Sequence, residues 1–372
     1  EVTAMNRKTW DVVIAGGGPA GSAAARRCAA SGLKTLLLEK AKLPRVKSCT
    51  GMIMSRLAQK TLEEEFGEIP DKAIAGPAFL DGYVIHVPGE GEKFIPCKAP
   101  FTWREQLDSW MNTSVRRAGG EVLEESPLES LTVVKEGYEI RIKQQKEPQT
   151  LHARWVIGAD GAVSTTRKNI FPSLEVHYGQ AIQEYYRGSL DFKKGEMHVF
   201  FPQEYTPFYS GAYYKEDYVV VEGGARSDQM KEFLRKTKED ISRNHGFKPQ
   251  GAPERIDACL EPALFRELVA GIFIPAQNNV LLAGDAAGFL VPVSGEGIGL
   301  ALKSGLLAAE AVIKSGKTGK AASTFYAEGI SAIIGIMKEF YGTALKIRDS
   351  ARQGEPYLSD VASAWENTLK VA

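Results

Sequence analysis

Three observations predict an α/β fold built around a parallel sheet. An apolar strand, Asp11-Val12-Val13-Ile14-Ala15, runs into Gly16-x-Gly18-x-x-Gly21, and a small-residue helix follows over 22–30. Two further apolar strands, at 154–158 and 280–285, end in acid–glycine turns late in the chain. Between these landmarks lie alternating, aromatic-rich runs that fit a mixed sheet. The expectation is a Rossmann-like nucleotide-binding domain with an inserted mixed-sheet domain.

Each element has a local reason. Gly16 permits the tight turn, Gly18 lets a diphosphate approach the backbone, and Gly21 lets helix and strand pack closely. Pro19 and Ala20 open the helix, whose free N–H groups and dipole favour an anion. A second strand over 35–38 ends at Glu39, followed by Lys40. An acid at this distance hydrogen-bonds an adenosine ribose hydroxyl. Residues 40–54 are irregular, with Pro44, Gly51 and several bases, and a helix is expected over 55–66. Strands at 78–87 and 92–97 flank Pro88-Gly89-Glu90-Gly91, a hairpin signal. A helix over 102–118 stops at Gly119-Gly120. A strand at 121–123 and a hairpin from 128–134 and 138–144 follow, and only at 154–158 is a buried parallel strand expected to return.

The longer insertion reads as strands at 180–190, 197–202, 208–214 and 218–223, an amphipathic helix over 228–245, and short strands at 255–261 and 271–274. After the strand at 280–285 come two long helices, 296–315 and 321–347, and a tail with helical signal from 359. No internal repeat or low-complexity segment interrupts this order.

Composition narrows the class. Lys+Arg and Asp+Glu are both 46 in 372 residues, which argues against nucleic acid. Cys28, Cys49, Cys97 and Cys259 form no C-x-x-C pair, so neither zinc site nor disulfide scaffold is expected. His86, His152, His177, His198 and His245 are isolated in sequence and expected to be structural or exposed. Residues 1–10 carry no signal-peptide pattern, Glu1 to Ala4 read as a leftover before a native Met5, and no apolar run approaches a membrane span. A soluble protein of a reducing compartment, the cytoplasm, is expected.

The chemistry concentrates in turns. Gly158-Ala159-Asp160-Gly161 and Gly284-Asp285-Ala286-Ala287-Gly288 sit where open α/β sheets bind ligands, at carboxyl ends of strands. Either alone is equally a tight turn closed by its own Asp. With the first glycine turn they describe three strands converging on one extended cofactor. Gly295 and Gly297 flank Glu296 where a helix opens, and Ile298 follows. Donors at such a helix start stabilise negative charge on a bound group. Cys49 is the one candidate catalytic side chain, with Arg45 and Lys47 as the expected cations near it. A half-buried thiol without a chemical role is the equal alternative.

The order Gly16-x-Gly18-x-x-Gly21, Glu39, Arg104, Asp160-Gly161 and Gly284-Asp285 resembles the FAD-binding fold of the para-hydroxybenzoate hydroxylase class over nearly the whole chain. The resemblance implies FAD held by Gly16, Gly18, Pro19, Ala20, Gly21, Glu39, Lys40, Arg104, Asp160, Gly161, Gly284, Asp285, Gly295, Gly297 and Ile298. Lys47-Ser48-Cys49-Thr50-Gly51 and the run from Gly284 to Gly305 narrow it: the chain resembles the geranylgeranyl reductases, which also have short bacterial members. Thr50 replaces the glycine usual after the cysteine, and Phe200-Phe201-Pro202 and Pro207-Phe208-Tyr209 stand in the prenyl-tunnel region.

What this implies is an FAD-dependent oxidoreductase reducing carbon–carbon double bonds of an apolar, prenyl-like substrate. The alternative is an FAD-dependent monooxygenase acting on an aromatic group, free or on a partner protein. A third class is a non-enzymatic flavoprotein serving a redox partner. With no second glycine fingerprint, NAD(P)H is expected only as a transient donor, or a ferredoxin-like protein replaces it. The expected domains are FAD-binding at 5–77, 99–175 and 276–347, substrate at 78–98 and 176–275, and a helical tail at 348–372. About half of the aromatics Tyr185, Tyr186, Phe200, Phe201, Tyr205, Phe208, Tyr209, Tyr213, Tyr214 and Tyr218 are expected in a substrate pocket. The apolar stripe within 325–347 is expected to pack in the core, with peripheral membrane or partner contact as the lesser reading.

Overall fold

The computed structural model describes residues 9–144, 147–226 and 228–372. The expectations for the first eight residues, including a start at Met5, lie outside the described residues.

Two large sheets carry the molecule. The first is an eight-stranded sheet whose spine runs Ala276–Gln277, Val280–Leu282, Glu147–Gly158, Thr9–Ala15, Thr35–Leu38, Glu121–Leu123. The last five strands of that spine are parallel. They read as unbroken apolar runs because helices cover them: Val12, Val13 and Ile14 are fully buried, and Leu36, Leu37 and Leu38 nearly so. Helix Pro19–Ala30 lies against helix Ile298–Thr318, close enough that a Cβ on Gly305 would meet Ala20 O at 2.1 Å. Small residues at 20–25 permit that approach.

The second sheet has seven strands in the order Arg255–Ala263, His177–Tyr186, Tyr218–Ala225, Ser210–Lys215, Glu196–Phe200, Ile74–Val87, Gly91–Thr102. Only the Glu196–Phe200 and Ile74–Val87 pair is parallel. Helix Leu358–Lys370 seals one face of it: Trp365, 1% exposed, meets the rings of Tyr83, Phe201 and Tyr209.

Several details differ from expectation. Parallel pairing returns earlier than 154–158, because Glu121–Leu123 adds to Thr35–Leu38. Residues 271–274 form no strand, leaving Ile272 and Ile274 exposed. The helix expected over 321–347 is two, Ala322–Gly329 and Ser331–Gln353, with a break at Ile330. The expected domain limit at 347 therefore falls inside a helix, and the limits at 77 and 98 fall inside strands. Three of the five histidines are not isolated: His86 Nε2 lies 2.8 Å from His198 Nδ1, and both rings stand within ring-contact range of His245. Sequence separation hid this: strand pairing sets His86 opposite Phe200, and His198 lies two residues along on the same face.

Candidate active site

Sheet register builds the site. Ala15 pairs with both Leu38 and Gly158, and Gly158 with Leu282. The four parallel strands thus end abreast. Gly16, Glu39, Asp160 and Gly284, spread over some three-quarters of the chain, face one cleft of about 1390 Å³. That exceeds the usual volume of a small-ligand pocket, roughly 300–1,000 Å³, and suits a dinucleotide plus a substrate.

The glycine turn has the space its pattern implies. Gly16 has a φ of 104°, and a Cβ there would meet Ala159 O at 2.1 Å. A Cβ on Gly18 would meet only Arg45 Nη2, at 3.9 Å, so the backbone here lies open to the cleft. Pro19 and Ala20 also line it. Gly21 does not; its missing Cβ makes room for Gly16 O at 1.8 Å, so it packs helix on strand.

Glu39 is buried, 2% exposed, and knits the turns together. It accepts from Gly17 N–H at 3.1 Å and Ala41 N–H at 3.0 Å. Arg45 Nε stands 3.1 Å from Glu39, and Arg45 Nη1 3.0 Å from Asp108. Asp108 also holds Arg104 through hydrogen bonds of 2.9 and 3.0 Å. Burial opposes the Arg104 charge, but Asp108 and then Cys49 outweigh it and raise its pKa. Lys40 reaches the cleft rim with its side chain exposed. Asn112, one helical turn beyond Asp108, donates to Gly17 O at 2.7 Å. Asp108 and Asn112 were not foreseen; their spacing from Arg104 on one helix face was the available signal.

The two acid–glycine turns differ. Asp160 is consumed locally: it accepts from Ser164 Oγ, Thr166 N–H and Thr166 Oγ1, holding the N-cap Ser164 and the first turn of helix Thr165–Ile170. The Asp285 carboxylate accepts no protein hydrogen bond among the described residues, and Asp285 faces the cleft. Gly161 and Gly284 have φ of 80° and 59°, which Gly tolerates and most residues resist. Gly295, Gly297 and Ile298 border the same cleft. Part of that helix start is already used: Glu296 accepts from Gly299 N–H at 2.7 Å and from Ser55 Oγ at 3.3 Å.

Opposite this cradle lies the seven-stranded sheet. Register places Glu222, Gln183 and Asp257 in one row, and Gly224, Ala181 and Cys259 in the next. Glu261 and Gly179 form a third row. A Cβ on Gly224 would meet nothing within 4 Å, so the floor here is open. Gln183 donates to Glu222 at 2.7 Å and accepts the Cys49 N–H at 3.1 Å. Burial pushes the Glu222 carboxyl up, and burial with the Asp285 charge pushes Glu261 up to about 7.

Cys49 lines the cleft, but its cations are not those expected. Arg45 is turned away to Glu39 and Asp108, and Lys47 faces Cys259 and Glu261. Arg104 and Lys215 face Cys49 instead. Of the ten aromatics, only Phe208 and Tyr209 reach the cleft. Tyr185, Phe201 and Tyr213 are buried in one apolar cluster and Tyr186 and Phe200 in another, because neighbours in a strand point to opposite faces and both faces of this sheet are covered. The stripe of the last long helices is largely core too, with Tyr341 and Leu345 added to the cleft wall.

A strand-end cradle with open glycine turns, a buried acid at the second strand and a free Asp285 fits an extended adenine dinucleotide. The family model described as FAD binding domain matches residues 9–323, which makes this a protein of the FAD-binding class. The chain is 30% identical over 337 residues to the chloroplastic geranylgeranyl diphosphate reductase of Nicotiana tabacum, covering 85% of this chain and 68% of that one. It is 28% identical over 333 residues to digeranylgeranylglycerophospholipid reductase 3 of Methanosphaera stadtmanae, covering 84% and 79%. The fold matches a geranylgeranyl bacteriochlorophyll reductase-like structure from Thermoplasma acidophilum at a TM-score of 0.77 and 18% identity, over 98% of this chain and 91% of that one. The chain belongs to the geranylgeranyl reductase family and is an FAD-dependent oxidoreductase with the para-hydroxybenzoate hydroxylase-type fold. No helix among the described residues is long and apolar enough to cross a membrane.

Proposed function

We propose that this enzyme reduces carbon–carbon double bonds of an apolar, prenyl-like substrate. Reduced FAD supplies the hydride when bound. The observation that carries the reading is the shared cleft: the coenzyme turns, Cys49 and an open floor of Gly179, Ala181 and Gly224 all face it. A slender chain fits over such a floor. Phe208, Tyr209, Tyr341 and Leu345 give it apolar walls.

In this reading Gly16, Gly18, Pro19 and Ala20 hold the diphosphate, with Lys40 at the rim. Glu39 takes the adenosine ribose, and Gly284 with Asp285 the sugar-alcohol chain. Gly295, Gly297 and Ile298 face the ring edge. Asp160 and Gly161 shape their turn, and Arg104 orients Cys49. The two sheets serve as coenzyme and substrate domains, and NAD(P)H is the transient reductant.

Anaerobic incubation of the reduced protein with geranylgeranyl diphosphate tests this. Each reduced double bond adds the mass of two hydrogens to the product. An unchanged substrate, with oxygen instead added to an aromatic compound in air, would sink the reading in favour of a monooxygenase.

A further inference from the structure

Lys215 ends the strand Ser210–Lys215 and is 1% exposed. It has no ion-pair partner among the described residues. Its ammonium donates to Thr50 O at 2.6 Å and Thr102 O at 3.0 Å. It lies 4.2 Å from the Trp103 ring centroid and 4.7 Å from that of Phe101. Taking an ammonium out of water is costly, and carbonyls and ring faces offset only part of that cost. Burial accordingly lowers its pKa to about 8, against the attraction of Cys49, Glu105 and Glu222, while Arg255 opposes the charge.

One turn depends on this cation. Gly51 has a φ of 79°, and a Cβ there would meet Thr102 O at 2.0 Å and Lys215 Nζ at 3.2 Å. Thr102 N–H and Oγ1 both donate to Gly51 O, at 2.9 and 2.7 Å. Cys49, at the start of the turn, is tethered through its N–H to Gln183 and faces Arg104 and Lys215. Cys49 lines the cleft, and two positive charges from separate elements, a helix start and a strand end, act on it. Nothing in the local sequence Tyr213-Tyr214-Lys215 signals this.

We propose that Lys215 is a positioning residue for Cys49: its ammonium fastens the Cys49–Gly51 turn to the end of the Gly91–Thr102 strand and supplies one of the two positive charges facing the sulfur. The inference concerns the thiol alone, and it stands or falls apart from the substrate proposed above.

The test follows alkylation of Cys49 by iodoacetamide near neutral pH, using peptide mass mapping of the holoprotein and of the FAD-free protein. Cys97 and Cys259 serve as internal controls. Lys215→Met keeps much of the volume and removes the charge, and it should slow modification of Cys49 roughly tenfold. Lys215→Arg should restore most of the rate, because the cation returns; a merely space-filling role would make Met the better substitute. Should Lys215→Met not fold by circular dichroism, Lys215→Gln is read in the same way. Equal rates in wild type and the uncharged variant, no modification of either, or a loss that Lys215→Arg fails to restore would each overturn the proposal.

Discussion

Arg104 and Asp108, one helical turn apart, meet through two hydrogen bonds of 2.9 and 3.0 Å, and both are buried. Arg45 reaches the same carboxylate and also Glu39. Two cations and two anions thus alternate along one wall of the cleft. Asp108→Ala would leave two guanidinium groups short of countercharge. It should cost about 3–5 kcal/mol, measured by urea unfolding of the FAD-free protein. Replacing Arg104 and Asp108 together by Met and Leu should cost less than the sum of the single changes.

Asp160 and Asp285 look alike in sequence and should behave differently. Asp160→Ala removes the acceptor that holds Ser164 and the first turn of helix Thr165–Ile170, and should lower stability by about 1 kcal/mol without FAD. Asp285→Asn breaks no protein hydrogen bond, so the FAD-free melting temperature should hold while FAD affinity, followed by titration calorimetry, falls about tenfold. Equal loss of FAD affinity in both variants would contradict the assignment.

Glu261 gives a pH signature. Its folded pKa of about 7 lies above the ordinary 4.5, raised by burial first and Asp285 second. The charged form is disfavoured in the folded state. Its contribution to stability is therefore complete below about pH 4.5 and is lost as pH rises through 7. The loss is on the order of 3 kcal/mol. In Glu261→Gln, stability measured across that window should stay flatter than in the wild type.

The histidine pair gives the opposite slope. Burial, then neighbouring histidines, lowers His86 to about 4 and His198 to about 3. Stability from keeping these rings neutral is present above pH 6.5 and is lost as pH falls toward 4. Glu92 and Glu196 near the rings moderate the loss. His198→Phe should blunt the acid-side decline in melting temperature and leave the FAD spectrum unchanged.

Gly224 tests the substrate floor. Nothing lies within 4 Å of a Cβ placed there, so Gly224→Leu should fold and bind FAD normally. Its side chain would fill the groove. KM for a prenyl substrate should rise at least about tenfold, a loss that one misplaced side chain in a pocket readily produces.

The coenzyme half of the site was legible because its chemistry is local. Gly16, Gly18, Glu39 and Gly284 each sit in a turn whose shape follows from the residues beside it, and the resemblance ordered them. The substrate half was not. Which aromatics leave the core, and which cations meet Cys49, depend on how strands register, and one residue of slip reverses every face. Arg45, four residues before Cys49 in the chain, turned elsewhere because two buried carboxylates, Glu39 and Asp108, hold it.

By itself, then, the chain determined a dinucleotide cradle of parallel strands and a flavin-dependent chemistry, since backbone turns and short-range spacing encode both. Only the tertiary structure decided that the Asp285 carboxylate is free while that of Asp160 is spent, that Glu261 and Glu222 share the cleft, and that Lys215 reaches the Thr50 carbonyl beside Cys49. Those are consequences of burial and countercharge between elements far apart in sequence, and no local pattern carries them.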